Sequence, residues 1–217
     1  MKITSIERGK KSRRLNIFVD FEYSFSVEEI TLVNENLFKD KELTQDEIEA
    51  IKQRDLVQKF TFRAIDQLGR RPRSEKEISD YIEGKLRNKK FYDISKDEIL
   101  EISRKVLEKL KSSKYIDDTE FATWWVKSRN EHRPRSFQVL KQELFKKGID
   151  KEIIRQVLEN NLDKDMEIRS AMKIGEKKLE TLKPNLTKFE QKTKISSYLA
   201  GKGYGWEIIS EVTKSIF

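Results

Sequence analysis

The chemistry available to this chain is narrowed first by what it lacks. There is no cysteine and one histidine, His132, in 217 residues. Disulfides, thiolate metal sites and cysteine nucleophiles are therefore excluded, and His132 lies in the polar run Asn130-Glu131-His132-Arg133 with no nucleophile beside it. The eight glycines form no G-x-x-x-x-G-K-[ST] loop. Gly201-Lys202-Gly203-Tyr204-Gly205 is glycine-dense, but no strand precedes it and the spacing is wrong for a dinucleotide loop. It reads instead as a joint between two helices in which Gly203 takes a left-handed backbone. No D-x-[DN]-x-[DN]-G calcium loop occurs among the many carboxylates. The expectation is a non-enzyme with no metal and no cofactor.

What remains is charge. Lys and Arg number 46 against 38 Asp and Glu, a net charge of +8. Residues 20–50 carry ten acidic groups against Lys39 and Lys41, so this segment is −8 and the rest of the chain +16. A basic body suits a polyanion or an acidic protein surface. The cations gather in places: Arg63, Arg70, Arg71 and Arg73; Lys127, Arg129, Arg133 and Arg135; then Arg169, Lys173, Lys177, Lys178, Lys188, Lys192 and Lys194. Guanidinium forks suit phosphate and carboxylate alike. Solvated helix faces paired to nearby glutamates are the plain alternative. Adjacent Trp124 and Trp125 on a helix point about 100° apart, so with Phe121 one joins the core and the other is left for a partner.

These residues need a scaffold, and its punctuation is legible. Leu15, Ile17, Val19 and Phe21 alternate at period two, and Tyr23, Phe25 and Val27 continue the pattern, which predicts a hairpin. Ile3 and Ile6 add a third strand before the basic loop Arg8–Arg14. Thr44, Ser74, Ser95 and Thr187 each precede a glutamate at the capping-box spacing, and Asp117 does the same with a carboxylate. Apolar residues then recur at helical spacing, as in Ile99, Ile102, Val106, Leu107 and Leu110. Helices are expected near 44–69, 74–88, 95–112, 117–131, 136–147, 150–161, 163–182, 187–201 and 206–216. No run approaches the ~18 apolar residues of a membrane span, and the N-terminus lacks a secretory pattern. A soluble, cytoplasmic monomer is expected.

The helices repeat. Arg71-Pro72-Arg73-Ser74 returns as Arg133-Pro134-Arg135-Ser136 at an offset of 62, and Arg104-Lys105-Val106-Leu107-Glu108 as Arg155-Gln156-Val157-Leu158-Glu159 at 51. The difference fits an insertion around Asn88–Asp93. A third pattern, L-x-x-K-G-x-x-x-E-I-I, starts at Leu144 and again at Leu199, an offset of 55. The fold class read from this is mainly α: a β-hairpin or three-strand head over 1–55, then three-helix repeats over 56–112, 113–161 and 163–217. Such tandem units make a curved, elongated solenoid, with the Arg-x-Pro-Arg turns lining a groove.

The run Tyr115-Ile116-Asp117-Asp118-Thr119-Glu120-Phe121-Ala122-Thr123-Trp124-Trp125-Val126-Lys127-Ser128-Arg129 resembles the middle repeat of the RecX family of RecA regulators. Arg73-Ser74-x-x-Glu77-Ile78, Glu143-Leu144-x-x-Lys147-Gly148-Ile149 and Lys202-Gly203-Tyr204 support the resemblance. It implies a protein that binds in the groove of the RecA–single-stranded DNA filament and lowers ATP hydrolysis, strand exchange and filament growth, with a place in DNA repair, recombination and the SOS response. On this reading Asp118, Phe121, Ala122, Trp124, Gly148 and Gly203 are structural. Arg129, Arg133 and Arg135 lead the contact candidates for RecA or DNA, with Arg70, Arg71, Arg73, Lys141 and Lys173 behind them. Two departures stand out: Ser136 where the family commonly has glycine, and Phe21 where it has an Asp-Gly turn. A direct, helix-turn-helix-like DNA-binding protein and a pure interaction scaffold stay open as alternatives.

Overall fold

The computed structural model describes all residues except 10–13, 89–91, 93, 133 and 162. Its described residues fall into two compact units, Met1–Arg71 with Ile78–Ile116, and Pro72–Glu77 with Asp117–Phe217. The chain is mostly helical behind a small antiparallel sheet.

In the first unit, strands β1 (Ile3–Arg8), β2 (Leu15–Val19) and β3 (Glu22–Val27) pair in sequence order. Asp20 and Phe21 form the turn between β2 and β3, both with positive φ, 49° and 69°. The hairpin thus keeps the tight geometry that Asp-Gly would give, but with a bulky residue in the left-handed region. Phe21 is at the tip, 89 % exposed, and not on the strand face expected from period two. Tyr23 leaves that face as well. The β2–β3 register slips between Ile17 and Phe18, so Ile17 opposes Phe25 while Phe18 opposes Tyr23. One extra residue in β3 flips the alternation, and Tyr23 packs edge-on against Phe18 at 6.0 Å.

Ile3, Ile17, Val19, Phe25 and Val27 form the sheet's buried face against Leu37, Leu43, Ile48 and Ile51. The short helix α1 (Glu29–Asn34) precedes the long α2 (Gln45–Leu68), which opens with the expected Thr44–Glu47 capping box. A buried carboxylate, Asp55, fastens the sheet to α2. It accepts from Glu28 N (2.9 Å), Thr31 Oγ1 (2.8 Å) and the Arg14 guanidinium. The helices α3 (Glu75–Leu86) and α4 (Lys96–Ser112) complete a core of Val57, Phe60, Ala64, Ile82, Ile102, Val106 and Leu110. The expected insertion near Asn88–Asp93 falls largely outside the described residues.

The second unit carries α5 (Asp118–His132), α6 (Phe137–Lys146) and α7 (Lys151–Asn161) around Phe121, Ala122, Val126, Leu140, Leu144, Ile154 and Val157. It continues with α8 (Lys164–Glu180), α9 (Lys188–Gly201) and α10 (Trp206–Ile216) around Ala171, Ile195, Leu199, Tyr204, Ile209 and Val212. Among the described residues no helix is long and apolar enough to cross a membrane.

Candidate polyanion interface

Ser74 and Ser136, the last residues of the two Arg-Pro-Arg-Ser repeats, are built into joints of the second unit. Ser74 is fully buried; its hydroxyl caps Glu77 N at 3.2 Å and donates to the Lys147 carbonyl at 2.7 Å. Ser136 is likewise buried and caps Val139 N at 3.3 Å. Serine here does the capping that glycine cannot. Each serine lies against a glycine turn. Gly148 and Gly203 have φ of +81° and +87°, and the turns close with Ile149 N→Leu144 O and Tyr204 N→Leu199 O, both 3.2 Å. The glycines are also approached closely. A Cβ on Gly148 would lie 2.6 Å from Lys76 Cβ, and one on Gly203 would lie 2.5 Å from Val139 Cγ2 and 2.7 Å from Ser136 Oγ.

A carboxylate from outside completes each joint. Asp118 Oδ1 accepts from Glu75 N at 2.9 Å, and Glu167 Oε1 accepts from Phe137 N at 3.0 Å. Asp118 therefore caps α3 and not its own helix; Asp117 caps α5, accepting from Thr119 N (2.7 Å) and Glu120 N (3.0 Å). Both carboxylates meet the exposed N–H groups and positive end of a helix. Burial nevertheless pushes the Glu167 carboxyl above its usual range, against the opposing pull of the Phe137 N–H bond.

The candidate cations have unlike surroundings. Arg129 turns inward: its Nε donates to Glu143 at 2.8 Å, and its guanidinium lies 4.4 Å from the Trp125 ring centre. Trp125 Nε1 donates to the same carboxylate at 2.8 Å, and Lys147 covers the ring at 5.1 Å. The leading contact candidate is thus a strut that holds Trp125. Both tryptophans are partly buried and both rings meet Phe121. Arg70 is exposed and paired to Asp66 at 3.2 Å. Arg71 and Arg73 are partly buried and engaged. Arg133 lies outside the described residues. Lys141 lines a groove between α6 and α7 with Phe145 and Leu158, apart from the others.

Arg135 and Lys173, by contrast, line one pocket together with Arg169, Asn130, Ser170 and Glu167. Arg135 Nε is the one buried side-chain polar atom without a hydrogen-bond partner among the described residues. Arg169, Lys173, Lys177, Lys188, Lys192 and Lys194 are exposed and make no ion pair among the described residues. On α4 and α7 the arginines are paired within their own helices: Arg104 with Glu101 and Glu108, and Arg155 with Glu152 and Glu159 in the same arrangement. Such exposed, solvent-screened pairs contribute little to stability. The exposed Trp206, 76 % accessible at the start of α10, was not among the aromatics singled out from sequence; its place behind Gly205 gave no periodic signal.

Fold and joints together define a helical protein of tandem three-helix units with a small β head and a row of exposed cations in its C-terminal helices. Family models agree: the regulatory protein RecX N-terminal domain matches residues 1–44, the second RecX three-helix domain residues 117–158 and the third residues 165–213. A protein named regulatory protein RecX from Listeria welshimeri is 39 % identical over 212 residues, covering 96 % of this chain and 73 % of that one. Its namesake from Bacillus pumilus is 36 % identical over 217 residues, covering 99 % and 77 %. A crystal structure of regulatory protein RecX superposes with a TM-score of 0.73 at 25 % identity over 98 % of both chains. That of RecX from Lactobacillus salivarius gives 0.60 at 25 % identity over 74 % of this chain and 96 % of that one. The chain belongs to the RecX family of regulatory proteins.

Proposed function

We propose that this protein regulates a RecA-type recombinase by binding in the groove of the RecA–single-stranded DNA filament, lowering ATP hydrolysis, strand exchange and filament extension. The observation that carries this reading is the family relationship along almost the whole chain. The distribution of charge supports it. Arg169, Lys173, Lys177, Lys188, Lys192 and Lys194 of the third three-helix unit are exposed and make no ion pair among the described residues, as a polyanionic surface requires, whereas Arg104 of α4 and Arg155 of α7 are held by glutamates of their own helices. Steering of a basic ligand toward DNA and acidic protein surfaces favours the filament over either component alone. The regulator acts by occupancy, without chemistry of its own.

The test is ATP hydrolysis by the cognate RecA on single-stranded DNA, titrated with this protein. Inhibition below one protein per RecA is the expected result. No change at saturating protein, alongside tight and salt-sensitive binding to bare DNA, overturns the proposal in favour of a direct DNA-binding protein.

A further inference from the structure

The two joints of the second unit are built alike, and the second borders a basic pocket. Asp118 and Glu167 fill the same role 49 residues apart, and that offset sets Arg169 on Glu120 and Lys173 on Trp124. Where the first joint has a carboxylate and an indole, the second has two cations. At this second joint Arg135 also keeps a buried Nε–H without an acceptor. A buried donor left unpaired is costly, and an acceptor bound beside it would satisfy it.

The pocket, about 230 Å³, is lined by Arg135, Arg169, Lys173, Asn130, Ser170 and Glu167 over an apolar floor of Phe137 and Met166. Glu167 is the one anion of that set, and its Oε1 is already engaged by Phe137 N. Ser170 shares a 2.8 Å hydrogen bond with the Tyr204 hydroxyl. Three cations against one carboxylate leave the pocket electropositive, with fork and point donors converging as an oxyanion requires. The positive track does not stop at the pocket. Arg169, Lys173 and Lys177 follow one another at i, i+4 and i+8 along α8, about 6 Å per step, all exposed. A continuous track suits a chain of phosphates better than a single ion.

We propose that this pocket seats one phosphodiester group of single-stranded DNA, held by Arg135, Arg169 and Lys173. The inference rests on the reading of the protein as a ligand of a DNA-containing filament, and it names the part of the surface that meets the DNA.

The experiment measures binding of the full chain to a short oligothymidylate across a salt series, for the wild type, the double variant Arg169→Ala/Lys173→Ala, and Lys214→Ala as a charge control on α10. Both pocket substitutions are at exposed positions, and circular dichroism verifies folding. The double variant is expected to bind at least tenfold more weakly at low salt, with the slope of log K against log[salt] shallower by about 0.7, one single-strand phosphate contact. Lys214→Ala should keep the wild-type slope. In parallel, the Arg135 Nε–H resonance is followed by NMR during titration with the oligonucleotide or with inorganic phosphate. A shift with the oligonucleotide, reached at far lower concentration than with phosphate, supports the proposal. A shift with phosphate alone assigns the pocket to a free ion and overturns it. An unchanged slope in the double variant overturns it too. If RecA inhibition persists in that case, the regulator reading survives without the pocket; if inhibition is lost while the slope stays, the pocket faces a protein carboxylate. Should the slope fall as expected while the wild type leaves RecA untouched, the pocket stands and the regulator reading fails.

Discussion

Replacing Gly203 by alanine tests the joint that positions the basic pocket. Two costs add at this residue. Its φ of +87° lies where an L side chain is strained, at about 1–2 kcal/mol. The new methyl would also sit 2.5 Å from Val139 Cγ2 and 2.7 Å from Ser136 Oγ. Both neighbours are held: Ser136 is buried and its hydroxyl caps Val139 N. Overpacking of this kind costs about 1–3 kcal/mol, so the sum is roughly 2–5 kcal/mol. All three tryptophans, Trp124, Trp125 and Trp206, lie in the second unit. Fluorescence during urea unfolding therefore reports the unit that is perturbed. With a urea slope of about 2 kcal/mol/M, the midpoint should fall by about 1–2.5 M. Gly201→Ala is the control, since nothing lies within 4 Å of a Cβ there and the residue closes α9; it should be neutral or stabilise by a few tenths of a kcal/mol up to about 1. Gly203→Asn separates the two costs, because asparagine tolerates the left-handed backbone but keeps the clash. Equal midpoints for Gly203→Ala and Gly201→Ala would refute the reasoning.

Asp55→Ala removes a carboxylate that is 3 % exposed and takes the acceptor from Glu28 N and Thr31 Oγ1, while Arg14 keeps Glu28 and Ser26; a loss of about 1–3 kcal/mol for each donor left unpaired is expected in the first unit, measured by far-ultraviolet circular dichroism in urea. Arg129→Ala should lower stability of the second unit by about 1–2 kcal/mol through Trp125 and Glu143, with a change in Trp fluorescence, and leave the salt slope of DNA binding unaltered. Glu167 gives a pH signature. Its carboxyl is raised in the folded state by burial, so the folded protein binds the extra proton and stability falls as pH rises from the ordinary glutamate range through the folded pKa. Glu167→Gln keeps an acceptor for Phe137 N and should flatten that fall; a profile unchanged by the substitution would contradict the assignment.

What the sequence disclosed, and what it hid, follows the range of the interactions. Helix starts at Thr44, Ser95, Ser136 and Thr187 were readable because a cap is a contact over three residues. Gly203 was readable as left-handed because a Schellman turn is equally local. The bulge that turns Tyr23 onto the face of Phe18 was not, since alternation carries no mark of an inserted residue. The carboxylates that cap α3 and α6 come from 43 and 30 residues away, beyond any motif spacing. The same limit blurred the cations. Arg129 and Arg135 read alike in sequence, but Glu143 draws one inward while the other is left beside Arg169 and Lys173.

The most direct test of the central claim compares three ligands for the same fluorescently labelled protein: RecA alone, single-stranded DNA alone, and the RecA–DNA filament assembled with a slowly hydrolysed nucleotide. Anisotropy titrations at one salt concentration should show the filament bound at least tenfold more tightly than either component. Equal affinity for the filament and for bare DNA would contradict the account.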